Sequence, residues 1–224
     1  MSALALLDLA SVFIFALTGA LAASRAQLDI VGFFFLAALT ALGGGTLRDV
    51  LINREAIFWI TAPELLLVSS LAAVAVFFTA HRLESRLSAL LWLDSIALAV
   101  AVPAGVAAAI AADMPPTVVL VMGMITGMMG GLMRDVICNE VPVVLRQGEI
   151  YATAAFAGSG AALITQQLTS EPLVMLLACA LTTWALRAGS LAFGWRLPMA
   201  MFPADWLVLA GFTLIAAALA ALGP

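Results

Sequence analysis

Two stretches of this 224-residue sequence set an arginine and an aspartate side by side just after a run of glycines. They are TALGGGTLRDVLIN, residues 40 to 53, and TGMMGGLMRDVICN, residues 126 to 139. Arg48 with Asp49, and Arg134 with Asp135, are the groups whose types could do chemistry, since a guanidinium and a carboxylate can hold or screen an ion. The glycines before them, Gly43, Gly44, Gly45 and Gly130, Gly131, each cost about 1 kcal/mol relative to alanine inside a helix. Spent in an apolar segment, that cost predicts a bend or an unwound turn. Carbonyls freed there would be cation ligands, and the following half-helix would point a partial positive charge at the same place. The plainer reading is that small residues let two helices approach closely. Tripling, repetition and the adjoining charges favour the bend.

The elements that must position these residues are transmembrane helices. The chain is 65% hydrophobic and 10% charged, with a mean hydropathy of +1.17, far from the balance of a water-soluble domain. About 20 apolar residues cross a bilayer core. Candidate spans are 4 to 23, 29 to 45, 63 to 80, 90 to 111, 117 to 132, 150 to 168, 172 to 193 and 204 to 222. The fold class is therefore all-α, a polytopic helical bundle. A net charge of −4, without a lysine or a basic cluster, excludes nucleic acid as a partner. Cys138 and Cys179 read as free thiols. The segment ALTGALAAS, residues 16 to 24, is of the kind signal peptidase accepts. Asp8 inside the apolar stretch and the lack of a positive leader argue for a retained first span.

All nine basic residues are arginines. With the N-terminus outside, Arg25, Arg82, Arg86, Arg134, Arg146, Arg187 and Arg196 fall at cytoplasmic ends, leaving Arg48 and Arg54 on the outer side. The positive-inside rule favours that orientation, in the inner (plasma) membrane.

Shifting the sequence by 86 residues aligns Asp8 with Asp94, Gly19 with Gly105 and Thr40 with Thr126. The same shift aligns Arg48-Asp49 with Arg134-Asp135 and Asn53 with Asn139. Each copy holds three spans, an odd number, so the second must enter from the opposite side. The expected layout is a first three-helix repeat over 1–86, an inverted second repeat over 87–171, a seventh transmembrane helix over 172–198 and a further hydrophobic segment over 199–224. Inverted repeats of this kind serve proteins that pass solutes across membranes.

Adjacent residues on a helix diverge by about 100°, so each arginine is expected to seek a carboxylate elsewhere. Candidates lie across the pseudo-two-fold: Asp8, Asp94, or the other repeat's Asp49 or Asp135. A helix-end salt bridge without a role in permeation is the alternative. For Asp8 and Asp94, a pore-lining place and an interfacial N-terminal cap are equally open.

GGGTLRDVL after the second span and GGLMRDVI after the fifth, together with DLASVFIFALTGALAA and RAGSLAFGWRLP, resemble the bacterial and archaeal TRIC family, the trimeric intracellular cation channels. The resemblance covers about residues 5 to 198. It implies a homotrimer in membrane lipid, with a pore in each subunit lined by kinked second and fifth helices. The path would pass potassium and other monovalent cations such as sodium. The glycines 43 to 45, 130 and 131 would form the kink, with Thr40 and Thr126 beside it and Arg48, Asp49, Arg134, Asp135, Asp8 and Asp94 flanking the path. Animal members carry a pore lysine; this chain has none, so their gating is not expected to carry over. No cofactor and no metal are expected.

Met122, Met129 and Met133 share a face of the fifth span, where thioethers could bind Cu(I) or serve as deformable packing. His81 reads as a solvated interfacial imidazole. The aromatics at 58 to 60, with Trp195 and Trp206, fit interfacial belts. No nucleophile-base pair, phosphate loop or metal triad is visible, so an enzyme is not expected. Three classes remain: a passive cation channel, a secondary transporter of a small solute such as glycine, and a non-transporting scaffold, against which the repeated charges argue.

Overall fold

A computed structural model describes residues 3–83 and 85–198. Eight α-helices follow in order: α1 (Ala3–Arg25), α2 (Ile30–Leu51), the short α3 (Phe58–Thr61), α4 (Glu64–Thr79), α5 (Arg86–Ala111), α6 (Pro116–Ile137), α7 (Ala152–Leu168) and α8 (Pro172–Phe193). Among the described residues there is no strand. The candidate span 204 to 222 and Trp206 lie outside the described residues.

Local chemistry explains the boundaries. The Asp29 carboxylate caps α2, accepting from the Gly32 amide at 2.8 Å, and the Ser85 hydroxyl caps α5 at 3.2 Å from the Ser88 amide. Pro116 and Pro172 open α6 and α8, where a missing N–H is harmless. Among the described residues four non-glycine positions have left-handed backbones, Gln27, Asn53, Asp113 and Asn139, with φ between 53° and 57°. They form two pairs, each 86 residues apart, and each closes a helix. The amide three places past the helix bonds back to the carbonyl five residues earlier: Leu28 to Ala23, Arg54 to Asp49, Met114 to Ala109 and Glu140 to Asp135, at 2.9 to 3.0 Å. The repeat therefore extends to the turns that end its helices.

Among the described residues six helices are long and apolar enough to cross a bilayer, counting α4 on to Arg82, and the chain is a multi-pass membrane protein. The 17-residue α7 falls just below that length. α1, α2, α5 and α6 form the centre, α1 against α2 and α5, α6 against α5 and α2. α4 packs on α1 and α2 as α7 packs on α6 and α5, and α8 covers α5 and α7. The polarity is that of a membrane protein: Val31, Leu67, Leu71 and Leu181 are more than 60% exposed. The largest fully buried side chains are three arginines, Arg48, Arg134 and Arg187.

One expectation is corrected. α2 and α6 do not unwind at their glycines; each is helical throughout, past the glycines and the Arg-Asp pair to Leu51 and Ile137. An intact ladder keeps every backbone group bonded in lipid, which an unwound turn would not. Gly44 and Gly130 serve close approach. A Cβ on Gly44 would meet the Thr126 carbonyl oxygen at 2.3 Å, and one on Gly130 the Thr40 oxygen at 2.1 Å. Packing, the plainer reading, is what these two positions do.

Candidate functional site

Asp8 stands in the second turn of α1 and Arg48 in the last turn of α2, which brings two residues 40 positions apart together at one end of the bundle. Arg48 donates from Nη1 to Asp8 Oδ1 at 2.9 Å and from Nε to Asp49 Oδ1 at 2.7 Å. The second oxygen of Asp49 accepts from the Phe58 amide at 2.8 Å, and the Phe58 ring lies with its centroid 5.3 Å from the Arg48 guanidinium carbon. α3 is thereby tied down onto the end of α2.

The same construction recurs at the other end. Arg134, in the last turn of α6, donates from Nη1 to Asp94 Oδ1 and from Nε to Asp135 Oδ1, both at 2.8 Å. The second oxygen of Asp135 accepts from the Val143 amide at 3.0 Å. Both triads are buried, Arg48, Arg134 and Asp94 completely.

Two expectations about the arginines change. Each does bond its sequence neighbour, because Nε rides on a flexible three-carbon stem that folds back over the helix surface. The second carboxylate comes from the same repeat, Asp8 for Arg48 and Asp94 for Arg134, so the pairing does not cross the pseudo-two-fold. What crosses it is a hydroxyl: Arg134 Nη1 also reaches Thr18 Oγ1 of α1 at 3.1 Å. Neither Asp8 nor Asp94 is a cap, since both are buried ion-pair partners within their helices.

The count of charges matters more than the pairing. Each triad holds one arginine and two aspartates, +1 − 2 = −1 as formal charge. At the first end Arg54, half-exposed, adds a contact to Asp49 Oδ1 at 3.3 Å. Arg48 Nη2, Arg134 Nη2, Asp94 Oδ2 and Tyr151 Oη are buried without a protein partner. Two of these groups converge with the bonded Asp94 Oδ1 on the bare face of Gly131, where a Cβ would lie 3.4 Å from Tyr151 Oη and 3.6 Å from both Arg134 Nη2 and Asp94 Oδ1. Buried orphan donors and acceptors suit water or a hydrated ion.

Between the triads, Thr40 and Thr126 sit where the central helices cross. Each hydroxyl donates to the carbonyl four residues back, Leu36 at 2.6 Å and Met122 at 2.7 Å. Gly19 and Gly105 admit those same threonines, since a Cβ there would stand 2.7 and 2.5 Å from their hydroxyls. Gly43 faces the Met133 sulfur and Gly45 the Phe58 ring. Thus Met133 packs against a glycine. Among the described residues no group of His, Cys, Asp and Glu could hold a metal ion. Cys138 and Cys179 are free, and His81 is exposed.

Arg187 of α8 joins this neighbourhood although it belongs to neither glycine-Arg-Asp motif. Fully buried, it bonds Glu149 and lies with its guanidinium carbon 5.2 Å from the Tyr151 ring centroid, beside the second triad. A lone arginine inside an apolar span was the available signal.

The model of the family described as Glycine transporter matches residues 5–81 and again 91–167, two matches whose starts lie 86 residues apart. A membrane protein of Vibrio cholerae is 34% identical over 201 residues, 88% of this chain and 82% of its own length. The inner membrane protein YadS of Escherichia coli is 33% identical over 155 residues, 68% of this chain and 73% of its own. Among solved structures, the TRIC trimeric intracellular cation channel orthologue from Rhodobacter sphaeroides is 38% identical. It superposes with a TM-score of 0.83 over 87% of this chain and all of that one. A second TRIC cation channel structure is 28% identical, with a TM-score of 0.79 over 90% of this chain and 99% of that one. These neighbours are ion channels, and the chain is not an enzyme.

Proposed function

The chain belongs to the bacterial TRIC family, the one its family model describes as glycine transporter, and from that premise we propose that it is a monovalent cation channel permeable to potassium and sodium. The observation that carries the reading is the sharing of one buried arginine between two aspartates at each end of the α2–α6 pair. The excess negative charge of each triad, offset at the first end by the exposed Arg54, lowers the energy of a nearby cation and raises that of an anion.

The path runs along the α2–α6 seam, with Gly43, Gly44, Gly45, Gly130 and Gly131 and the threonines 40 and 126 at its waist. In the present conformation the contacts of Gly44 with Thr126 and Gly130 with Thr40 close that waist. Conduction needs the two helices to part there, a rigid-body movement that leaves their hydrogen-bond ladders intact. Residues 1–86 and 87–171 are the two inverted units, α8 the additional helix, and three subunits form a homotrimer in membrane lipid, each with its own path. The protein lies in the inner membrane with its N-terminus, and so the Asp8–Arg48–Asp49 triad, on the outer side.

Single-channel recording of purified protein in asymmetric KCl tests this. Unitary currents reversing near the potassium equilibrium potential are expected. Saturable uptake of glycine without unitary currents would establish the transporter reading instead, which the family model's description favours.

A further inference from the structure

The two ends of the bundle carry equivalent Arg-Asp triads but differ in what joins the two repeats at each end. At the Asn53 end a cleft of about 460 Å³ separates the turn after α2 from the end of α5, bordered by Ile52, Asn53, Arg54, Ala108 and Ala111. Shifted by 86 residues, toward the other repeat, these become Cys138, Asn139, Glu140, Ala22 and Arg25. At the Asn139 end that second set is drawn together. Arg25 Nη2 meets Glu140 Oε1 at 3.0 Å, and Nη1 reaches Oε2 at 3.3 Å, joining the end of α1 in one repeat to the turn after α6 in the other. The counterparts, Ala111 and Arg54, have no opposite charge to share, and Arg54 turns back to Asp49 within its own repeat.

We propose that the Arg25–Glu140 ion pair is a latch that closes the Asn139 mouth of the permeation path while the Asn53 mouth stands open. This rests on the channel reading above. The pair is about a quarter to a third exposed, so water can reach it and its strength is modest, as a contact that opens and closes requires. Arg146 Nη2 stands 3.6 Å from Glu140 Oε2 and belongs to the same repeat as Glu140. It can hold the carboxylate after Arg25 leaves without tying the repeats together. An ion pair of this exposure contributes a population shift of up to about fivefold, so its loss changes how often the mouth opens and leaves the fold in place.

The native Cys138 reports on the gap, being half-buried at the position equivalent to Ile52 in the open cleft. Burial and Glu140 push its thiol up, whereas Arg25 draws it down. Arg25→Gln by itself would therefore slow modification by a charged methanethiosulfonate, because less thiolate is present. The latch predicts the opposite, a rate about two- to fivefold faster than in the unaltered protein, with Cys138→Ser as the blank. Arg25→Glu with Glu140→Arg should bring the rate back. An unchanged or slower rate in correctly assembled Arg25→Gln protein overturns the latch. Glu140→Gln supplies a second variant, read as a rise in open probability, and an unchanged open probability also overturns it. Absence of unitary current in the unaltered protein would refute the channel reading, while the labelling rates would still decide the latch.

Discussion

Gly130 stands so close to Thr40 that a Cβ on it would lie 2.1 Å from the threonine's carbonyl oxygen, and Gly44 repeats the relationship with Thr126 at 2.3 Å. The two contacts cross the pseudo-two-fold between α2 and α6 and set how closely the halves of the molecule meet. Backbone oxygens cannot rotate out of the way, so these positions tolerate no side chain unless a helix moves.

Gly44→Ala and Gly130→Ala are expected to destabilise the closed molecule by about 1–3 kcal/mol through overpacking. Gly131→Ala, whose Cβ would make only ordinary contacts of 3.4 Å and more, should be neutral or stabilising by up to about 1 kcal/mol from helix propensity. Thermal unfolding in detergent measures all three. Equal damage at the three positions would argue that the glycines bend the helix and do not serve its packing.

Arg134→Lys is expected to be nearly as harmful as Arg134→Gln. A lysine is a point donor and cannot meet Asp94 and Asp135 along the two directions that Nη1 and Nε provide. Leaving one buried carboxylate unpaired costs about 3–5 kcal/mol, so expression and trimer yield should fall for both variants. Arg48→Lys should behave likewise. A stable, fully assembled Arg134→Lys protein would show that the second bond does not matter.

Asn53 and Asn139 end their helices in the left-handed region, at φ 53° and 54°. Replacing either with glycine should be tolerated, whereas a β-branched valine should cost about 1–2 kcal/mol from backbone strain. Unfolding midpoints of the four single variants check this. Matching costs at the two sites are expected, since they are repeat equivalents.

Arg54 offsets the negative charge of the first triad from a side chain 38% exposed. Arg54→Gln is expected to raise cation current entering from that end at low salt. The gain should stay within about fivefold, the equivalent of about 1 kcal/mol of Coulomb energy near a water-filled mouth. It should fade in concentrated salt as the charge is screened. Unitary current compared between about 0.02 and 1 M KCl decides it.

Much of this was legible in the chain. Asn53 and Asn139 align with the same 86-residue shift that aligns the arginines, and the helix ends they cap obey it. Length and apolarity placed α1, α2, α4, α5, α6 and α8 as spans, because a bilayer demands about 20 apolar residues whatever their partners. The charged residues of the site also stood out, since an ionisable group in an apolar span is costly and has to be held by something.

Which partner holds it could not be read along the chain. Asp8 and Arg48 meet 40 residues apart because α1 and α2 run antiparallel, and Arg48 reaches Asp49 because a flexible stem outruns the 100° between neighbours on a helix. Whether Gly44 and Gly130 bend a helix or admit another depends on what lies opposite, and a glycine carries no record of its neighbour. The cleft at Arg54 and the ion pair between Arg25 and Glu140 likewise arise only when the repeats are set against each other. Periodicity and composition determined a doubled, membrane-spanning helical unit with charges at matched places. Contacts between antiparallel helices, which depend on distances in space and not on separation in sequence, decided the triads, their net charge and the difference between the two ends of the bundle.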